Sequence, residues 1–541
     1  MEKLVVRNMP EHCVKIRRFS RFRGVPSSRY VNTHTPCSHN ALRGIVERVF
    51  LRNGQRPLVT SRDEFQEALN GFHMRLRSEL PRATPIPLAD CPGLWLGRHR
   101  ARYERAFKAT ASVGWSPRDA RSDAFPKSEK TLFAAAKPDP APRLINPRKP
   151  AYNLRLARYV KVQEKRVYEA INRAAFVGPA LWKGKRCPVV LKCYNAIERA
   201  EILYSMCNSV DDWVAVGLDA SRFDQHVSVA ALLWEHSNYL HMYRGQPDAL
   251  RELAALLKCQ LFNKGRVKMF DGCVIDYAVE GCRMSGDMNT ALGNCMIMSG
   301  LVSGLLEKLN IVGHYANDGD DCIVILPRAH LERFQASVDD HFKSAGFNVV
   351  VEAPVDVFEK IEFCQSHPVW NGEQYIMCRN WVKCINNDAA GFGKWNDPRQ
   401  IPFQLAAVGQ CGGHLCAGIP ILQAFYSSMR EQGHYRKVYH ELAETGFGRM
   451  AIGLQRRIGM SVDAKVRDRA VTPRARFSFW LAYGVTPEQQ RIMESVQFDF
   501  SHSTTEHIPT EQGPQGAVAT PGRVLPSSHP ILSLHDGLFG N

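Results

Sequence analysis

Fourteen residues, His314 to Pro327, most constrain what this chain can fold into: H-Y-A-N-D-G-D-D-C-I-V-I-L-P. The apolar pair Ile311-Val312 leads in, and the run Cys322 to Leu326 leads out. Between them Asn317-Asp318-Gly319 supplies turn chemistry, because Asp-Gly tolerates the positive φ that a tight hairpin demands. Two carboxylates, Asp320 and Asp321, follow the turn. A hairpin holds such acids rigidly beside a buried strand, where a carboxylate is costly unless something positive meets it. Hard oxygen ligands of this type suit Mg²⁺ or Mn²⁺. The plain alternative is a surface β-turn rich in Asp and Gly, so the remainder of the chain has to decide.

A second acid-bearing strand is predicted at Trp213 to Asp219, with Asp224 five residues on. Asp-x4-Asp alone also fits a helix N-cap. Helices are expected over 227–258, broken near Gly245-Gln-Pro247, and then a strand from Val274 to Val279. There follows Gly281-Cys-Arg-Met-Ser285-Gly286-Asp-Met-Asn-Thr290-Ala-Leu-Gly-Asn294, a Ser-Gly loop opening a helix that runs to about Leu309. Thr290 and Asn294 share a face of that helix, directly after Ser285. Three small hydrogen-bonding side chains at the head of an apolar helix need partners. A sugar with vicinal hydroxyls is one, and hydrogen bonding between helices in a core is the other. Beyond the hairpin, Leu331, Phe334, Val338 and Phe342 predict a helix ending at Gly346, then a strand from Asn348 to Glu352. Strand, helix, hairpin, helix, strand is the order of a split βαβ, ferredoxin-like sheet. Phe358 to Gln365 and Gln374 to Arg379 predict a further hairpin turning through His367-Pro368 and Asn371-Gly372. Residues 385–490 read as mostly helical with Gly-rich breaks at 409–418, and the tail from Ser501 reads as disordered.

Charge is unevenly spread. Residues 1–200 hold 40 Lys and Arg against 16 Asp and Glu, while 201–541 hold 30 against 37. Cations concentrated in one part of a chain point to a polyanionic partner. Residues 1–60 read as an extended basic arm with a short helix from Ala41 to Phe50. Between Pro138 and Pro150 five prolines exclude a regular helix. Lys137, Arg143, Arg148 and Lys149 therefore sit on stiff backbone, with Lys127 and Lys130 just before it. Stiff backbone presents cations with little entropy left to lose, which suits gripping phosphates. Leu154 to Ala175 predicts one basic helix, and Trp182-Lys-Gly-Lys185-Arg186 a basic turn with an aromatic. The 16 cysteines are scattered, which fits reduced thiols better than a disulfide framework. Cys411-Gly-Gly-His414-Leu-Cys416 is half of a zinc spacing without a second pair of ligands nearby. No signal peptide or membrane span is legible, so attachment to a membrane is expected only through a partner.

Phosphoryl transfer to a polynucleotide end is commonly run by two divalent ions about 4 Å apart, held by acids from neighbouring strands. Asp219 and Asp320 meet that need if their strands are adjacent in one antiparallel sheet. The stiff segment at 127–149 offers cations for a triphosphate. Asp224, Ser285, Thr290 and Asn294 offer a ribose reader.

With these residues in place, the chain resembles the RNA-dependent RNA polymerases of positive-strand RNA viruses, most closely the tombusvirus-like group (Tombusviridae, umbravirus-type). The resemblance covers roughly residues 120–400. Asp219-x4-Asp224 looks like the family's motif A, and Ser285-Gly286-x3-Thr290-x3-Asn294 like motif B. Gly319-Asp320-Asp321 looks like motif C, and the helix and strand at 331–352 like motif D. Phe363-Cys364-Gln365 looks like motif E, and the segment ending Arg143-Leu-Ile-Asn-Pro-Arg148 like motif F.

The resemblance implies an α+β right hand with an antiparallel ferredoxin-like palm and helical fingers and thumb. Its expected parts are a basic arm and fingertips over 1–95, fingers over 96–216, a palm over 217–380 with 227–280 partly inserted fingers, a thumb over 381–500 and a disordered tail over 501–541. By resemblance Asp219 and Asp320, with Asp321 nearby, bind two Mg²⁺ or Mn²⁺ ions. Lys127, Lys130, Lys137, Arg143 and Arg148 contact the triphosphate, and Asp224, Ser285, Thr290 and Asn294 the nucleotide sugar. Lys343 and Lys360 both stand as candidates for the lysine of motif D. The implied partners are RNA template and product, NTPs, a viral auxiliary replication protein and, through it, host membranes in the cytoplasm, with no DNA. A reverse transcriptase shares the palm and metals but usually carries an aromatic where Gly319 stands. A non-enzymatic RNA-binding or capsid-like protein explains the basic residues and leaves the paired acids unexplained.

Overall fold

The computed structural model describes residues 2–11, 17–25, 31–51, 54–132, 140–434, 446–457 and 465–508. Its central sheet grows from the apolar runs singled out above. Strands His314–Asn317, Asp321–Pro327, Trp213–Ala220 and Val349–Val351 lie side by side in that order, all antiparallel. Successive side chains of a strand point to opposite faces. Val214, Val216 and Leu218 with Val324 and Leu326 enter one core. Ala215 with Ile323 and Ile325 enters another. Both faces are covered, which is why these runs read as continuous apolar stretches without alternation. Helices Thr290–Lys308 and Leu331–Ser344 close the first core. Helix Ala196–Asn208 packs into the second. The chain is α+β, with the predicted order of strand, helix, hairpin, helix, strand.

A second sheet joins Phe262–Lys268 to Val274–Glu280, flanked by Lys3–Arg7 and Ser122–Asp123. The basic arm is thus partly a strand of this sheet. The short helix forms at Ser38–Ile45 and widens into a π turn at Val46–Phe50.

Four expectations are corrected. Leu154 to Ala175 is two helices, Pro150–Ala157 and Glu164–Ala174, parted by a 3₁₀ turn. The later hairpin pairs Ser366–Trp370 with Tyr375–Arg379, so Pro368 lies inside its first arm opposite Met377. A two-stranded ribbon has only edges, where the missing proline N–H costs no ladder bond. The glycines at 409–413 do not break a helix, because Ile401–Cys416 runs straight through them. A Cβ on Gly412 would lie 2.2 Å from the Tyr426 ring, and one on Gly409 2.9 Å from the Tyr426 carbonyl oxygen. Those glycines cost about 1 kcal/mol each in helix propensity. In exchange they let helix Leu422–Glu431 approach closely. Cys411 and Cys416 are buried on helix Ile401–Cys416, where His414 bonds Gln455 at 2.8 Å. Finally, Asp499–Ile508 is a strand, paired antiparallel with Arg17–Gly24. The rest of the tail, 509–541, lies outside the described residues. Among the described residues no helix is long and apolar enough to cross a membrane.

Phe500 anchors that last strand, with its ring 5.2 Å from Phe22 and 6.0 Å from Phe425. Phe500→Ala is expected to cost about 3–5 kcal/mol, read as a lower urea midpoint. An unchanged midpoint would mean that this strand does not hold the two segments together.

Candidate active site

The strand register sets the acids. Asp219 stands directly opposite Asp321, and Asp320 occupies the turn one residue earlier. The positive φ falls on Gly319, at +104°. Buried Asn317 accepts from the Gly319 N–H at 2.6 Å and donates to Cys295 O and Ser299 Oγ at 3.0 Å. The turn is therefore fastened to the long helix behind it. Asp318, next to the other acids, is taken up by cations. Lys192 meets it at 2.6 Å, and Arg199 pairs with its second oxygen. The Cys364 N–H donates to Asp321 at 3.1 Å, so the loop at 363–365 docks against the acid turn. Burial pushes the Asp321 carboxyl up to about 6; the Cys364 N–H opposes this, and the Asp320 charge adds to it.

Asp219 and Asp320 are exposed. No hydrogen bond or ion pair engages either carboxylate among the described residues. Among the described residues no three His, Cys, Asp or Glu side chains gather closely enough to hold an ion unaided. That donor set suits a small hard cation that takes one or two carboxylates and completes its shell from water and substrate phosphate.

The residues expected to read the sugar come together in part. Asn294 Nδ2 donates to Asp224 Oδ1 at 2.8 Å, and Arg283 Nε donates to Asn294 Oδ1 at 3.1 Å. Burial raises the Asp224 carboxyl, with the Asn294 bond and the Arg283 charge opposing. Ser285 lines the same cavity as Asp224 and Asp320. Thr290 instead turns its hydroxyl back onto Met284 O at 3.1 Å, where it braces the loop.

That cavity measures about 320 Å³, and Arg48, Arg143 and Arg222 line it with Asp224, Ser285 and Asp320. The sequence reading missed Arg48 and Arg222. Arg48 sits in the π turn, a distortion that frequently marks functional sites. Burial, with repulsion from Arg222 and Arg143, brings its guanidinium down to about 10. Arg222 adopts φ +53° between the two motif acids and donates to Glu47 O at 2.6 Å. Arg143 is well exposed, with Glu129 at 3.5 Å, and Lys127 pairs with the same Glu129 at 2.8 Å.

Two other predicted cations are engaged inside the fold. Arg148 is buried, with Asp287 gripping its Nε and Nη2 and Ala120 O accepting from Nη1 at 2.7 Å. Lys130 donates to the carbonyls of Asn387 and Ala390. Both are structural clamps, because carbonyls and carboxylates of the fold already fill their donor positions. Lys137 lies outside the described residues. In the turn at 181–186, Arg186 donates to Ala175 O and Val177 O, and Lys183 pairs with Glu201 at 3.1 Å. Lys343 pairs with Asp339 on its own helix, while Lys360 is exposed.

A family model described as viral RNA dependent RNA polymerase matches residues 4–503. The chain belongs to that family. It is 37% identical over 92% of its length to the RNA-directed RNA polymerase of tobacco necrosis virus strain A, covering 66% of that protein. To the RNA-directed RNA polymerase of melon necrotic spot virus it is 36% identical, over 91% of this chain and 60% of the relative. To that of turnip crinkle virus it is 34% identical, over 89% and 59%. The chain thus spans roughly three fifths to two thirds of the length of these polymerases.

Arg148 and Arg143, close in sequence, are expected to behave oppositely on mutation. Arg148→Ala leaves Asp287 buried and unpaired and should cost about 3–5 kcal/mol. Arg143→Ala should stay within about 0.5 kcal/mol of the parent. Equal urea midpoints for the two variants would overturn the clamp assignment.

Proposed function

We propose that the chain is an RNA-directed RNA polymerase that copies an RNA template from NTPs and so replicates a positive-strand RNA plant virus genome. One observation carries the reading. Asp320, the Asn294-bonded Asp224 and four arginines, Arg48, Arg143, Arg222 and Arg283, line one cavity, and Asp320 adjoins the opposed Asp219 and Asp321. A nucleoside triphosphate presents a polyphosphate, a reacting phosphorus and a ribose hydroxyl to those three features.

Asp219 and Asp320, with Asp321 beside them, would hold two Mg²⁺ or Mn²⁺ ions. Bound there, the ions supply activation of the RNA 3′-hydroxyl and neutralisation of the charge on the leaving pyrophosphate. The chain's own residues do the remainder. Arg48, Arg143 and Arg222 hold the triphosphate, with Lys127 at the rim. Cations aimed at developing phosphate charge act most strongly where water is excluded. The Lys192 and Arg199 pairs neutralise Asp318 beside the other acids. Asp224 and Asn294, with Ser285, engage the ribose 2′-hydroxyl. A site built to bond a hydroxyl rejects an analogue lacking it, because its buried polar groups are left unpaired.

We place the sheet around Asp219 in a palm, the basic segments over 96–216 in fingers and the helices over 381–500 in a thumb. Template and product RNA run between them. An auxiliary replication protein brings the chain to host membranes in the cytoplasm.

Labelled NTP incorporation on a short RNA template with Mg²⁺ or Mn²⁺ tests this reading. Asp320→Ala is expected to abolish incorporation with its urea midpoint kept, and full residual synthesis would remove the metal assignment. Asn294→Ala is expected to lower the preference for NTP over dNTP. Arg48→Ala should raise KM for NTP by about tenfold, the worth of one charged contact. An unmoved KM would take Arg48 out of the triphosphate site.

A further inference from the structure

Behind the ribose reader lies an ion pair that none of the roles above uses. Glu235 is on helix Val229–Met242 and Arg283 is in the loop before Ser285, and both side chains are fully buried. Arg283 Nη2 donates to Glu235 Oε2. The other Glu235 oxygen accepts from Tyr239 Oη at 2.8 Å and from Asn289 Nδ2 at 2.7 Å. Gln260 extends the network by donating to Asn289 Oδ1 at 2.8 Å and contacting His236 Nε2 at 3.1 Å. Arg283 Nε then reaches Asn294 Oδ1 at 3.1 Å, and the Arg283 backbone N–H donates to Asp224 O at 2.8 Å.

Elementary hydrogen-bond chemistry gives this chain a direction. A guanidinium only donates, so the Asn294 amide must turn its oxygen to Arg283 and its NH₂ to Asp224. Gly293 supplies the space, since a Cβ there would fall 2.4 Å from both Arg283 Nη2 and Glu235 Oε1. A buried ion pair is an expensive device whose stabilisation an apolar pair often matches. Its distinguishing product here is a fixed amide.

We propose that Glu235 and Arg283 are positioning residues for sugar selectivity, locking the Asn294 amide so that the pocket penalises a nucleotide lacking the 2′-hydroxyl. The inference rests on the ribose-reading role of Asn294. Rejection of a missing hydroxyl depends on groups that cannot re-pair among themselves. An Asn294 freed from Arg283 can rotate and satisfy itself, and the penalty on dNTP shrinks.

The test compares kcat/KM for NTP, 2′-dNTP and 3′-dNTP in the full chain, with melting measured alongside. Arg283→Lys keeps the charge but not the planar fork that reaches Glu235 and Asn294 together. Glu235→Gln keeps the shape. Both are expected to lose roughly tenfold of the NTP over 2′-dNTP preference, the worth of one charged hydrogen bond. The NTP over 3′-dNTP preference should stay at the wild-type value. Gly293→Ala, which crowds the pair without removing a charge, should shift the same ratio in the same direction if the first two variants do not fold. Arg476→Lys, in the remote Arg476–Glu494 pair, controls for general destabilisation and should leave both ratios alone.

A purely structural role lowers all three substrates together and leaves the ratios fixed, which overturns the proposal. If Asn294→Ala shifts the 2′ ratio and the pair's variants do not, the positioning role alone fails. If Asn294→Ala leaves that ratio at wild type, the ribose reading fails and takes this inference with it.

Discussion

Two like charges are forced together by a strand register, and much of the structure exists to tolerate that. Antiparallel neighbours have Cβ atoms about 5 Å apart, where two carboxylates near a surface repel by roughly 3 kcal/mol. The strands carrying Asp219 and Asp321 bury Val214, Val216, Leu218, Ile323, Val324, Ile325 and Leu326. At about 2 kcal/mol for each such side chain, burial outweighs the repulsion several times over. The same strands cannot slip by one residue, since every apolar side chain would then change core. The acids stay opposed because the register that separates them would unpack two cores at once.

What the sequence showed and what it hid divide along that line. The acid strand, the Asp-Gly turn and the helix from Thr290 each leave a local mark: an apolar run, a turn residue or a helical spacing. Arg48 and Arg222 leave none. One belongs to a distorted turn near residue 48, the other to a left-handed residue between Asp219 and Asp224, and only tertiary folding brings them to one cavity. Arg148 was misread for the converse reason. Its segment is basic and stiff, but nothing local tells that Asp287, far along the chain, waits to bury it. Gly409 and Gly412 mislead similarly, since a close helix contact and a helix break share one spelling.

The charge imbalance also changes meaning in three dimensions. Residues 1–200 are rich in cations and the remainder is slightly acidic, which in sequence suggests a surface for a polyanion. In the fold part of that excess is paired across the divide. Arg75 clasps Glu307 through both terminal nitrogens, Arg155 and Arg158 share Glu252, and Lys192 and Arg199 share Asp318. The cations left around the acid cavity are few, and they are positioned by partners on neighbouring segments, as Arg222 is by Glu47 O.

The pairing of Arg17–Gly24 with Asp499–Ile508 has a consequence in time. Ser20 and its partner Thr505 are 485 residues apart in the chain. Translation at about 5–20 residues per second separates their emergence by roughly half a minute to a minute and a half. Throughout that interval the edge at 17–24, with Phe19 and Phe22, lacks the strand and the Phe500 ring that cover it. The last strand thus closes the second core late, since Phe498 and Phe500 belong to that core with Phe22. A ribosome stalled before residue 499 would leave a largely assembled body with an unpaired edge, the kind of surface that nascent chains use to find one another.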